Sequence, residues 1–194
     1  MDDRPRAQAW DRTRLTDHLV GKHPRLARLL VQWADYASPM SDECVICQRH
    51  RGEGPLTGQL IARIGGFEIW SARTDDDGRA PLGYLFIESE QHVPYVTDLP
   101  DDDAAALGLL RTRLTRALRD VLGAEFVITA VIGTGVPHFH EHLLPRMPGT
   151  PDSIAWHASD SALRWVEAQE IADLGARLRA ALGVPSGERS QVQP

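Results

Sequence analysis

The chain has 194 residues, of which 42% are hydrophobic and 25% are charged, and its formal net charge is −6 at pH 7. This composition is typical of one globular domain with extensions. The acidic balance gives no support to nucleic-acid binding. The sequence has no run of 18 apolar residues and no apolar stretch near its start, so it predicts a cytoplasmic protein without a membrane span or a signal peptide.

The first part of the chain predicts helices followed by a cysteine pair. Residues 10–37 have apolar positions at helical spacing, interrupted near residues 21–24. Cys44 and Cys47, the two cysteines of the chain, form a Cys-x-x-Cys motif within residues that look like a turn. In a reducing cytosol such a pair is a metal half-site or a redox pair rather than a structural disulfide. Zinc needs about four ligands, so two histidines elsewhere would complete a site.

The middle of the chain predicts strands and one long helix. Residues 59–64 and 67–71 favour a β-hairpin with a Gly-Gly turn, and residues 82–87 favour a buried strand. A helix is expected from Asp101 to about Leu122, with three aspartates at the positive end of its dipole and Gly123 after its last turn. Residues 125–132 are rich in β-branched side chains and predict a further strand.

A row of alternating histidines is the most informative feature of the sequence. In an extended strand, His138, His140 and His142 would project from one face. Buried imidazoles need polar partners, so the row favours a metal, a phosphate, or a nucleophile with helper groups over simple packing. The turn before the row, residues 133–137, would present backbone N–H groups as an anion nest.

The order of elements predicts an α+β protein. Residues 1–40 are expected to form an N-terminal helical extension and residues 41–150 the main domain with its cysteine knuckle. Residues 151–184 are expected to form a C-terminal helical segment, with the helix over residues 159–182. The polar tail, residues 185–194, is expected to be disordered.

The motif His-Phe-His-Glu-His-Leu-Leu at residues 138–144 resembles the histidine-triad (HIT) signature. The resemblance covers residues 42–148, including residues 83–87, His92 and the helix entry at residues 97–99. It implies a HIT-like antiparallel sheet of about five strands with a long helix, here with N-terminal and C-terminal helices. It also implies a nucleotide hydrolase or nucleotidyltransferase that cleaves a dinucleoside polyphosphate or an adenosine phosphoramidate.

The resemblance further implies a structural zinc ion. Bacterial HIT hydrolases and the related galactose-1-phosphate uridylyltransferases often hold zinc on a Cys-x-x-Cys, a histidine after the central strand and the first triad histidine. Carried over by position, the zinc ligands are Cys44, Cys47, His92 and His138. Two thiolates and two imidazoles also make a closed tetrahedral site on chemical grounds alone. His23, His50 and His157 stay open as replacements for one ligand.

The reaction roles also follow from the resemblance. His140 would attack the α-phosphate and form a nucleotidyl-histidine, with a backbone carbonyl orienting its ring through Nδ1–H. His142 would stabilise the phosphoryl oxygens or protonate the leaving group. Gly133, Thr134 and Gly135 would bind phosphate together with His142. The expected partners are a small nucleotide substrate and a second copy in a homodimer, with no nucleic acid and no membrane.

Three groups of residues leave their roles open. Phe67, Ile69 and Trp70 belong either to a base pocket or to the core. Trp156 and Trp165 either cover the mouth of the active site or anchor the C-terminal helix. Glu141 occupies a position where an apolar residue is common in the family, and a buried carboxylate needs a partner. It is expected to face solvent, a dimer interface or an arginine.

The loop before the triad departs from the family pattern, which has a longer segment with an Asn and a Gly-Gln-Ser/Thr stretch. Here Thr134 stands at the Gln position and Gly135 at the Ser/Thr position. This departure motivates a second hypothesis, a non-catalytic nucleotide-binding or zinc-stabilised interaction module. A third hypothesis places one catalytic zinc on His138, His140 and His142 together.

Overall fold

A computed structural model describes residues 43–185 of the chain. Its main feature is a five-stranded antiparallel sheet, and a separate pair of two-residue strands lies beside it. None of the helices within residues 43–185 is long and apolar enough to cross a membrane. The strands are β1 (Leu60–Ile64), β2 (Phe67–Ser71), β3 (Ala80–Pro81), β4 (Leu85–Ser89), β5 (Phe126–Ala130), β6 (His140–Arg146) and β7 (Trp165–Val166). In space the order is β1-β2-β4-β6-β5, with β3 paired to β7.

The predicted hairpin is confirmed. Strands β1 and β2 pair antiparallel, and Ile64 stands opposite Phe67 across the turn. Gly65 and Gly66 have φ values of +58° and +81°. A two-residue turn that follows the twist of the strands needs positive φ at both positions, which glycine adopts without a steric cost.

The predicted long helix is also confirmed, as α2 (Asp101–Leu122). Leu107, Leu110, Leu114 and Leu118 are buried along one of its faces, and Gly123 follows in the left-handed conformation with φ +71°. The two other helices are α1 (Val45–His50) and α3 (Ala168–Leu182). Helices α2 and α3 share one apolar core with Phe67, Ile69, Phe139 and Leu143 of the sheet region. Because strand residues alternate faces, the side chains of His140 and His142 lie on the opposite face of the sheet.

Several element boundaries differ from the sequence predictions. The cysteine motif opens the short helix α1 instead of a plain turn. The helix expected over residues 159–182 begins only at Ala168, because residues 156–166 form a 3-10 helix and then strand β7. Strand β7 pairs with β3, a contact between distant residues that no local pattern predicts. The predicted helices in residues 10–37 and the tail from residue 186 lie outside the described residues.

Candidate functional site

Four side chains that are far apart in sequence meet at one corner of the domain. Cys44 immediately precedes helix α1 and Cys47 lies in its first turn. His92 follows strand β4, and His138 precedes strand β6. One ligand atom from each residue lies within 4.8 Å of the others, and all but His92 are buried. The predicted zinc ligand set is confirmed as a cluster.

The distances within the cluster fit a tetrahedral zinc ion. Nδ1 of His138 lies 3.5 Å from Sγ of Cys44 and 3.4 Å from Sγ of Cys47, and Nδ1 of His92 lies 3.3 Å from Sγ of Cys47. Zinc bonds of about 2.3 Å to sulfur and about 2.0 Å to nitrogen place such ligand pairs roughly 3.6 Å apart in a tetrahedron. Nε2 of His138 donates to the carbonyl oxygen of Ser89 at 2.7 Å. This bond leaves Nδ1 without a proton, as metal binding requires.

The charge of the cluster also favours a cation. Burial, followed by the neighbouring thiol of Cys44, raises the pKa of Cys47 to about 12. Two buried thiolates are therefore unfavourable unless a divalent cation compensates their charge. The donor set, the distances and the burial together define a closed structural zinc site.

Of the histidines proposed as replacement ligands, the two that the structure describes are not in this cluster. Nε2 of His50 lies 2.9 Å from Oε2 of Glu88, and the His50 ring stacks on Trp70 and meets the His138 ring in a T-shaped contact. His157 is exposed beside Trp156. His23 lies outside the described residues.

His140 is the first residue of strand β6 and is partly buried. Its Nδ1 lies 2.7 Å from the carbonyl oxygen of His138. A carbonyl oxygen can only accept a hydrogen bond, so Nδ1 of the neutral ring carries the proton and Nε2 keeps its lone pair. This is the orientation that a nucleophilic imidazole needs.

His142 lies on the same face of the sheet, with its ring centroid 5.3 Å from that of His140. Its Nδ1 lies 2.7 Å from the hydroxyl oxygen of Tyr84. Burial, followed by the electrostatic effect of the neighbouring His140, lowers the pKa of His142 to about 4. The ring is therefore neutral at pH 7 and has one N–H to donate.

The three triad histidines do not share one metal site. His138 lies before the strand, and its two ring nitrogens face the thiols and the Ser89 carbonyl. Nδ1 of His140 is bonded to the backbone. The geometry therefore favours the Cys2His2 site over the hypothesis of one catalytic zinc on His138, His140 and His142.

A cavity of about 300 Å³ lies next to His140. Its walls are mostly apolar or aromatic, and Arg49, Arg73 and Glu88 add polar groups. Among the described residues, Arg73 has no hydrogen-bond or ion-pair partner. Trp165 is 42% exposed and lines the cavity. The apolar and aromatic lining residues are Ile46, Leu56, Ala72, Pro81, Tyr84, Phe86, Val136 and Trp165.

The other candidate residues are not among those that line this cavity. Phe67 and Ile69 belong to the core shared with the helices. Trp70 is buried and donates its indole N–H to Glu68 at 2.7 Å. The three phosphate-binding candidates of the loop, Gly133, Thr134 and Gly135, are not among the residues that line the cavity. Their role in phosphate binding stays a prediction.

Sequence reasoning missed a buried charged network between helix α1 and the sheet. Glu88 stands opposite His140 in the β4–β6 pairing and accepts hydrogen bonds from Arg49 and His50. Glu68 accepts from Trp70, and Arg49 lies over the Trp70 ring. Burial, followed by the charge on Arg49, lowers the pKa of His50 to about 4, so this ring is neutral. The network joins helix α1, which carries the zinc ligand Cys47, to strands β2 and β4.

Glu141 finds its partner on helix α2. Its two carboxylate oxygens accept hydrogen bonds from Nε and Nη2 of Arg111 at 2.5 and 2.8 Å. The Glu141 side chain is 2% exposed and that of Arg111 is 34% exposed. Of the three environments expected for this carboxylate, the structure selects the arginine.

No protein-family model matches the sequence, and no curated protein does. Solved structures with the same fold are found. A zinc-bound histidine-triad protein of Mycobacterium smegmatis is 25% identical, with a TM-score of 0.52 over 73% of this chain and 94% of that one. A histidine-triad protein of Sinorhizobium meliloti is 19% identical, with a TM-score of 0.53 over 64% and 89%. A HIT-like protein of Bartonella henselae is 16% identical, with a TM-score of 0.50 over 73% and 98%.

This chain has a HIT-like fold and a Cys2His2 cluster. The α+β architecture predicted from the sequence is confirmed by the five-stranded antiparallel sheet, the long helix and the C-terminal helix. The resemblance to histidine-triad proteins is confirmed by this shared fold together with the Cys2His2 cluster.

Proposed function

We propose that the protein is a nucleotide hydrolase or nucleotidyltransferase that acts through a nucleotidyl-histidine intermediate at His140. The observation that carries the proposal is the bond from Nδ1 of His140 to the His138 carbonyl, which leaves the Nε2 lone pair free. The adjacent cavity supplies room for the group that is transferred. The substrates that fit the proposal are dinucleoside polyphosphates and adenosine phosphoramidates.

The chemistry takes two displacements. Nε2 of His140 forms a bond to the α-phosphorus, and the bond from phosphorus to the leaving group breaks, with its electron pair going to the leaving group. Water then attacks the same phosphorus, its oxygen replaces the imidazole, and His140 recovers its lone pair. One proton from water balances the proton that the leaving group takes up. In a transferase, a different acceptor would replace water in the second step.

The cavity supports a nucleotide as the transferred group. Its volume is at the lower end of the range for small-molecule sites, which are mostly apolar with a few polar groups. Phe86, Tyr84 and Trp165 offer aromatic surfaces for a base, and the ring centroids of Phe86 and His140 lie 6.4 Å apart. Arg73, which has no hydrogen-bond or ion-pair partner within residues 43–185, offers a cation for an anionic substrate.

We propose a structural role for zinc in this function. The zinc-bound histidine-triad protein of M. smegmatis supports zinc as the metal. In this chain Cys44, Cys47, His92 and His138 would hold the ion, and none of these four residues lines the cavity. The bound ion would fix the start of strand β6. The homodimer implied by the resemblance and the cytoplasmic location expected from the sequence stay predictions.

The experiment is denaturing mass spectrometry after brief incubation with adenosine 5′-phosphoramidate or diadenosine tetraphosphate. We expect a gain of one adenylyl group in the wild-type protein and none in His140→Ala, with the zinc content unchanged. His157→Ala, an exposed histidine outside the site, is the matched control and should keep the adduct. Turnover by His140→Ala equal to that of the wild type would refute the intermediate. Binding with neither adduct nor product would instead favour the non-catalytic nucleotide-binding module.

A further inference from the structure

Tyr84 makes a contact to the triad that no sequence pattern indicates. It lies just before strand β4, lines the cavity, and stacks on Phe86 with ring centroids 5.1 Å apart. Its hydroxyl oxygen lies 2.7 Å from Nδ1 of His142. Because Phe86 stands opposite His142 in the β4–β6 pairing, the two strands fix the relative positions of Tyr84 and His142.

The direction of this hydrogen bond follows from the acidity of its two groups. A phenolic O–H is a stronger acid than an imidazole N–H, and an imidazole nitrogen accepts better than a phenolic oxygen. Burial, followed by the carboxylate of Asp160, raises the pKa of Tyr84 to about 12, so the hydroxyl keeps its proton. His142 is neutral at pH 7 because its pKa is about 4. The hydroxyl therefore donates, and Nδ1 of His142 accepts.

We infer that Tyr84 is a positioning residue that holds His142 as the tautomer with its proton on Nε2. The inference rests on the function proposed for His140. The two neighbouring histidines are then set as opposite tautomers by two different partners. The His138 carbonyl leaves Nε2 of His140 bare for attack, whereas Tyr84 leaves an N–H on Nε2 of His142.

As a consequence, the Nε2–H of His142 is already in place as a hydrogen-bond donor before the substrate binds. The rings of His140 and His142 lie on one face of the sheet, 5.3 Å apart. A phosphoryl group attacked by Nε2 of His140 would place an oxygen within reach of the Nε2–H of His142. Preorganised donors of this kind stabilise the charge that develops on phosphoryl oxygens. Without the Tyr84 hydroxyl, the His142 ring would populate both neutral tautomers. The tautomer with its proton on Nδ1 has no N–H at Nε2 to donate to the phosphoryl group.

The first test is independent of activity. Long-range ¹H–¹⁵N correlation spectra of zinc-loaded protein with ¹⁵N-labelled histidine identify the tautomer of each ring. We expect the Nε2–H tautomer for His142 and the Nδ1–H tautomer for His140 in the wild-type protein. In Tyr84→Phe, His142 should become a mixture while His140 stays unchanged. A wild-type His142 with its proton on Nδ1 would overturn the inference, whether or not any substrate is turned over.

The second test is a kinetic cycle with adenosine 5′-phosphoramidate. In the wild-type background we expect Tyr84→Phe to lower kcat roughly three- to tenfold, in proportion to the fraction of His142 that loses its Nε2–H, with KM changed less than about threefold. In the His142→Ala background the same change should lower kcat less than about twofold. Equal losses in both backgrounds would overturn the inference. Thr112→Ala removes an exposed hydroxyl on helix α2, outside the cavity, and should match the wild type. Melting temperatures check that every variant is folded.

Discussion

The carbonyl oxygen of His138 accepts a hydrogen bond from Nδ1 of His140 at 2.7 Å, while the ring of the same His138 faces the two thiols of the cluster. One residue therefore connects the metal site to the proposed nucleophile. Because His138 precedes strand β6, its backbone position depends on the cluster as well as on the sheet. Loss of the metal should disturb His140 without any direct contact between them.

The first prediction concerns loss of one zinc ligand. Cys47→Ser should lose the zinc and lower the free energy of unfolding by about 3 kcal/mol or more, because metal-binding energy is part of the folding energy. Adenylylation of His140 should fall with it. Zinc content, urea denaturation and the mass of the adduct measure the three effects. His157→Ala should leave all three unchanged, and full zinc content in Cys47→Ser would contradict the ligand assignment.

A second prediction tests the role of Arg73, the cavity cation that has no partner in the described part of the chain. Arg73→Gln should weaken AMP binding about tenfold, which corresponds to about 1.4 kcal/mol for one charge-assisted contact, and should change adenosine binding less than twofold. Calorimetric titration of both compounds measures the difference. Arg116→Gln is the matched control, because Arg116 is an exposed arginine on helix α2 outside the cavity. Equal losses for AMP and adenosine would show that Arg73 does not bind the phosphate.

The hairpin, the long helix and the zinc ligand set could be predicted because their signals are local or belong to the family motif. The Gly65-Gly66 turn and the leucine spacing of helix α2 are readable from short windows of sequence. His92 and His138 were assigned to the metal by resemblance, and the antiparallel pairing of β4 and β6 brings them to the same corner as the cysteines.

The contacts that could not be predicted depend on the register between distant strands. Tyr84 meets His142 only because β4 and β6 pair with Phe86 opposite His142. A shift of one residue would turn Tyr84 to the other face of the sheet. The partner of Glu141 is likewise set by where helix α2 packs, which places Arg111 over this position. A carboxylate on a strand indicates that a partner is needed but does not identify it.

The third prediction concerns this ion pair. Arg111→Ala would leave the buried Glu141 carboxylate without its partner and should lower the free energy of unfolding by about 2–3 kcal/mol, a value reduced by the partial exposure of Arg111. The double variant Arg111→Met/Glu141→Leu should recover most of this loss, because an apolar pair needs no charge compensation. Urea denaturation measures both variants. If the double variant were as unstable as Arg111→Ala, an unpaired carboxylate would not be the cause.

The fourth prediction is a pH dependence of stability from His142. Its folded-state pKa is lowered to about 4, whereas an unfolded histidine has a pKa of about 6.5. As pH falls below about 6.5, His142 of the unfolded chain binds a proton, whereas His142 of the folded protein stays neutral until about pH 4. The contribution of His142 to the free energy of unfolding is therefore full above pH 6.5 and is lost as the pH falls from about 6.5 to about 4. Between pH 7.5 and 5.5 the wild-type protein should lose about 1 kcal/mol more than His142→Gln, after allowance for solvent screening of this partly exposed ring. Urea denaturation of zinc-loaded samples over this range measures the difference, and parallel curves for the two proteins would contradict a neutral, desolvated His142.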